Sequence, residues 1–268
     1  MREELIQIRL KPRLKLPNAL RTIVALVLRE MATSYGRSPG GYIWAIAEPV
    51  AGIALLTFVF SMGFHAPPIG TSFAVFYASG LLPFLMYSDL STKISQSINF
   101  SMPLLSYPRV TLADAVIARA VLNALTQVLV WCVIFIGLRL IYDTQSLVDY
   151  GALVTAMGCA LLLGFGVGTM NCFLVTRFPV WQRIWSILNR PMFILSCVVF
   201  TFETTPQPFR DWLWFNPVVH VVGMARQGMF SGYDAAYVSH AYVVFFSLMF
   251  GALGFFLIWC FRDRLLNQ

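Results

Sequence analysis

The chain has 268 residues, 58% of them hydrophobic and only 12% charged, with a formal net charge of +7. A soluble domain of this size carries about twice that charged fraction, so the composition excludes one and points to a polytopic helical membrane protein. Cys132, Cys159, Cys172, Cys197 and Cys260 all lie inside apolar runs, as small hydrophobes rather than a disulfide framework. His65, His220 and His240 stand far apart with no ligand-spaced neighbours, so no metal site is expected.

The N-terminus is basic (Arg2, Arg9, Lys11, Arg13, Lys15), but no cleavable apolar core follows, so no secretory signal is expected. Next comes "PNALRTIVALVLREMATSYGRSPGGYIW". Leu20, Ile23, Val24, Val27 and Met31 recur at helical spacing, with Arg21 and Arg29 on the other side. Pro17 and Asn18 open the segment, and Gly36, Pro39, Gly40 and Gly41 break it. This predicts an amphipathic helix lying in the membrane interface, the alternative being a helix packed on a partner's soluble surface.

Six transmembrane spans are expected, at 43–63, 72–89, 114–138, 151–175, 186–202 and 239–261; the second and fifth are short and contain Pro83 and Pro191. With the N-terminus inside, sixteen of the nineteen basic residues fall on the inner side, and Arg139, Arg210 and Arg226 on the outer. The positive-inside rule therefore places both termini in the cytoplasm and explains the charge excess without nucleic acid. The chain reads as a single all-α transmembrane domain, 1–268. Residues 1–42 form a tail and interface helix, 43–261 the spans, and 262–268 a second tail.

No phosphate-binding loop is present: the lysines are Lys11, Lys15 and Lys93, and none follows a glycine. Glu48, Asp89, Asp114 and Glu203 fall at or near span ends, which argues against ion coupling through mid-membrane carboxylates. No nucleophile–base or paired-carboxylate constellation emerges, so no catalytic residue is assigned. What remains is a passage or scaffold energised by a partner. The loop "KISQSINFSMPLLSYPRV" (93–110) suits that role: Ile94, Ile98 and Met102 repeat at spacing four before Pro103, Pro108 and Arg109. Its apolar face is expected to dock on something outside the chain, a bare interfacial loop being the alternative.

"WFNPVVHVVGMARQGMF" (214–230) is apolar, yet a helix from Pro217 to Phe230 rises only about 20 Å, too short for a hydrocarbon core of about 30 Å. Asn216 suits a cap and Pro217 the first helical turn. A re-entrant hairpin broken there is expected before the last span. Irregular backbone at membrane depth is tolerated only inside protein or along a wet cavity, so it marks a pathway or gate. Arg226 lies near the hairpin's C-terminal end, where a cation is favoured; contact with an anionic polymer is the other reading.

Six spans, an interface helix, a short docking helix after the second span and a broken hairpin together resemble an ABC transporter permease of the polysaccharide-export type. More narrowly, "TRFPVWQRIWSILNRPMFILSCVVFTFETTPQPFRDWLWFNPVVHVVGMARQGMFSGY" (176–233) and "REMATSYGRSPGGYIWAIAEP" (29–49) resemble the capsular-polysaccharide permeases of Gram-negative bacteria. The resemblance implies an inner-membrane homodimer bound to separate cytoplasmic subunits that hold ATP and Mg, with no cofactor in this chain. It also implies a lipid-linked anionic polysaccharide as cargo, handed to periplasmic adaptor and outer-membrane export proteins. Ile94, Ile98, Asn99, Phe100, Met102, Leu104 and Leu105 would then form the ATPase-coupling helix. Arg177, Arg183 and Arg190, with Trp181 and Trp185, would form the substrate entrance, where guanidinium pairs with phosphate. For each of these arginines, anchoring at the inner interface is the competing reading. Trp212, Trp214, Asn216, Pro217, His220 and Arg226 would form the periplasmic gate. O-antigen or teichoic acid as cargo, or a lipid-flipping or lipid-synthesis scaffold without an ATPase, are the alternatives.

Overall fold

A computed structural model of the protein describes residues 18–34, 41–105, 110–142 and 148–266. The basic residues through Lys15, the breakers Gly36, Pro39 and Gly40, and Pro108 and Arg109 lie outside these. The described chain is helical, with no strand: α1 (Asn18–Ser34), α2 (Gly41–Gly63), α3 (Phe73–Ser95), α4 (Ser97–Leu105), α5 (Leu112–Ile141) and α6 (Tyr150–Arg177). α7 (Pro179–Leu195), a 3-10 turn at Phe202–Thr204, α8 (Phe209–Trp214), α9 (Pro217–Met229), α10 (His240–Cys260) and α11 (Arg262–Leu266) follow.

Polar residues start these helices. Thr111 accepts a hydrogen bond from the Asp114 backbone N–H while the Asp114 carboxylate accepts one from the backbone of Thr111, a reciprocal cap on α5. Asp149 caps α6 by accepting from Gly151 and Ala152, and Ser239 caps α10 by accepting from Tyr242. Among the described residues, five helices are long and apolar enough to cross a membrane, beginning at Ile43, Phe73, Leu112, Tyr150 and His240. α2 and α10 turn Leu55, Phe58, Met62, Phe245, Phe256 and Trp259 outward, away from the bundle.

α3 is the central helix, with Phe76, Tyr77 and Ala78 fully enclosed. It packs along α6, which packs in turn along α10. The α6–α10 contact needs small residues. A Cβ on Gly254 would lie 2.6 Å from the Met170 nitrogen, and one on Gly166 would overlap the Ser247 carbonyl.

Two expectations shift. The run at 186–202 is not the helix: α7 begins at Pro179, which suits a first turn, and ends at Leu195. Cys197 takes a left-handed conformation (φ 57°), and residues 198–201 continue without helix. Pro83 and Pro191 lie within α3 and α7 and end neither. The apolar set expected on one face of α1 also divides. Leu20, Val24 and Met31, joined by Leu28, are exposed, whereas Ile23 and Val27 are half-buried on the side that carries buried Glu30. α1 packs against α5.

Candidate functional site

At one end of the bundle α3 turns at Gln96 into α4. Ile94, in the last turn of α3, and Ile98 in α4 are fully buried in a cluster with Leu90, Val116 and Cys172. The periodicity at spacing four is real, but this chain's own helices cover that face, so Ile94 and Ile98 anchor α4 and present nothing to a partner. Asn99 and Phe100 are exposed, and Met102, Leu104 and Leu105 half-buried. The Phe100 ring lies against the Arg119 guanidinium of α5, 4.4 Å from centroid to Cζ. Arg119 Nε is 3.3 Å from Glu30 Oε1 of α1. Burial pushes the Glu30 carboxyl up, against the pull of Arg119 and Lys93. The sequence held a signal for this pair: Glu30 follows Ile23 and Val27 at helical spacing, a carboxylate on an otherwise apolar face.

Beside it, α3 and α7 border a groove of about 300 Å³ lined by Thr92, Ser95, Gln96, Gln182, Trp185, Asn189 and Arg190, among others. Asn189 donates to Ser88 Oγ at 3.0 Å; its Oδ1 and the Trp185 indole N–H have no hydrogen-bond partner among the described residues. No carboxylate is among the groove's lining residues. One arginine, amides, hydroxyls and an aromatic ring are a donor set for a phosphate and a sugar. Of the five residues expected at an entrance, only Trp185 and Arg190 meet here. Arg177 lies over its neighbour Phe178, Trp181 donates to Asn171 Oδ1 at 2.8 Å, and Arg183 is exposed away from the groove.

The hairpin is broken where the sequence predicts. α8 ends at Trp214, and Asn216 caps α9 by accepting from the Val218 N–H at 3.0 Å. The Asn216 side chain also donates to the Leu195 carbonyl at 3.0 Å, tying the break to the end of α7. The Trp214 indole donates to the Tyr237 carbonyl, and its ring stacks on Tyr242. His220 Nδ1 accepts from the Ser239 N–H, so Nε2 carries the proton and donates to the Trp214 carbonyl at 2.8 Å. Arg226 is wholly buried and donates to the Phe200 and Val198 carbonyls, each at 2.8 Å, with its guanidinium over the Phe76 ring. Arg226 does stand in the last turn of α9, as expected, but its hydrogen bonds satisfy the irregular segment after α7 rather than the end of its own helix. Trp212, by contrast, is 76% exposed.

Residues 21–230 match the family model described as ABC-2 type transporter. The chain is 32% identical over 228 residues to the polysialic acid transport protein KpsM of Escherichia coli, covering 85% of this chain and 88% of that protein. It is 25% identical to the capsule polysaccharide export inner-membrane protein CtrC of Neisseria meningitidis, covering 87% of this chain and 88% of that one. To the capsule polysaccharide export inner-membrane protein BexB of Haemophilus influenzae it is 26% identical, covering 89% and 90%.

Proposed function

Because this chain belongs to the ABC-2 type transporter family, we propose that it is the permease subunit of an exporter that moves lipid-linked capsular polysaccharide across the bacterial inner membrane. ATP is hydrolysed by a separate cytoplasmic subunit. The observation that carries this reading is a juxtaposition at one end of the bundle. The exposed tip of α4, with Asn99 and Phe100, lies on the same chain turn as a groove whose single charged lining residue is Arg190. A motor contact and a cargo contact placed so close suit an export stroke.

In this reading that end faces the cytoplasm together with both termini, in keeping with the distribution of basic residues. α7 is the fifth of six spans: its 17 residues rise about 26 Å, and the irregular stretch after Leu195 completes the crossing. α1 lies in the interface with Leu20, Val24, Leu28 and Met31 toward lipid, and α8–α9 is a re-entrant gate on the periplasmic side. The unburied α7 and outer α2 face a second copy around a shared conduit. Periplasmic adaptor and outer-membrane proteins take the chain onward. Arg190 receives the phosphate of the lipid-linked end, Trp185 and Asn189 its first sugar, and Arg177 and Arg183 anchor the interface.

Purification from the native membrane in mild detergent, followed by identification of bound chains and an ATP-hydrolysis assay, tests this. A stoichiometric ATPase with vanadate-sensitive turnover is expected. Asn99→Asp and Leu104→Asp should abolish its binding while the permease still inserts. A chain that purifies alone and without turnover, with its neighbouring genes intact, would replace the exporter with a lipid-flipping scaffold.

A further inference from the structure

Glu30 and Arg119 are 7% and 6% exposed, and their contact is poorly made: Nε and Nη1 of Arg119 have no hydrogen-bond partner among the described residues. Removing two charges from solvent costs about as much as such a contact returns, and two apolar side chains would fill the site as well. Stability therefore does not account for the pair. The unused donors leave room for a second arrangement in which the guanidinium gains bonds, and a buried ion pair is best suited to fixing register or switching between registers. Phe100 supplies the input. One face of its ring covers the guanidinium, yet the residue remains 38% exposed at the tip of α4. α1 is the output: its bundle-facing side carries Glu30 and its other side an open apolar stripe, so it can slide in the interface without uncovering a core.

We propose that Arg119 is a positioning residue for export, through which displacement of Phe100 on α4 is passed to Glu30 and moves α1. This rests on the reading of α4 as the ATPase-facing helix. Through a buried side chain, it links the power-receiving helix to one that touches lipid, where lipid-linked cargo arrives.

The test measures surface capsule in cells and ATP hydrolysis by the full complex purified from the same cells. Arg119→Ala should lower export per ATP hydrolysed about tenfold, within the usual range of coupling between sites. Arg119→Lys, which keeps the charge but loses the planar face, and Glu30→Gln should show smaller losses of the same kind. Phe100→Leu, which removes the ring over the guanidinium but leaves the Glu30–Arg119 contact, should give a partial loss. The exchanged pair Glu30→Arg with Arg119→Glu should recover most of the export. Normal coupling in Arg119→Ala overturns the inference. So does an exchanged pair that assembles with its ATPase and stays uncoupled, or a Phe100→Leu variant equal to the parent. If the unaltered chain binds no ATPase, the reading of α4 falls and this inference with it; if the ATPase binds and Arg119→Ala exports normally, only this inference falls.

Discussion

α7 and α9 are both short helices that begin at a proline and carry arginine, yet they lie at opposite extremes of burial. None of the 17 residues of α7 is buried, whereas eleven of the 13 in α9 are. The outcome for arginine follows from what surrounds it. Arg226 meets two backbone carbonyls left free where the chain departs from helix after α7, so it becomes internal glue. Arg183 and Arg190 are exposed and donate to no such carbonyl among the described residues. Charge and helix position alone do not separate the two cases; the conformation of residues 196–201 does.

Substitutions can break that contrast, the strongest first. Arg226→Ala strands one buried and one part-buried carbonyl, together with the fully enclosed space of the guanidinium, and should lower stability by about 3 kcal/mol, read as a large drop in the thermal midpoint of the purified protein in detergent. A small drop would mean that the segment after α7 is held by other means. Arg190→Ala should do the reverse, with stability within about 0.5 kcal/mol of the parent. Capsule export should nevertheless fall about tenfold, the worth of one charge-assisted contact of about 1.4 kcal/mol. Asn216→Ala joins the two regions, since this residue caps α9 and binds the end of α7. A loss of about 1 kcal/mol is expected, and a loss within error would show that Pro217 alone sets the break. Arg183→Ala sharpens the comparison at its weak end. Lying off the groove, it should change export by less than about twofold, as exposed charges usually do. Equal losses from Arg183 and Arg190 would assign both to the entrance.

Much of this architecture is legible from residue pattern. Apolar run length locates five long helices, four of them within about three residues and α3 ending six residues beyond the expected 89, and Asn216-Pro217 marks the hairpin break because a cap side chain and a fixed φ are local properties. What escapes the sequence is which surface covers a periodic face. Ile94, Ile98 and Met102 announce an apolar stripe, but whether a partner or the chain itself covers it depends on where α5 and α6 pass. The fifth span is misplaced for a related reason: apolar content runs on through Val198, Val199 and Phe200, and nothing local marks the left-handed turn at Cys197. The destination of Arg226 depends on that turn and is hidden with it. Of the residues expected at an entrance, Trp185 and Arg190 line one groove because α7 lies beside α3, a tertiary fact with no signature in the spacing of the arginines.

The Glu30–Arg119 pair also sets an order on biosynthesis. Glu30 belongs to α1 and its counter-ion to α5, with α2, α3 and α4 made in between. At a ribosomal pace of about 10 residues per second, the guanidinium follows the carboxylate by on the order of ten seconds. Throughout that interval Glu30 lacks its ion-pair partner, and of the residues made after α1 Lys93 of α3 is the positive group that acts on its carboxylate. It follows that α1, though made well before α5, completes its docking only once α5 is in place, and a ribosome stalled before α5 leaves that contact unformed.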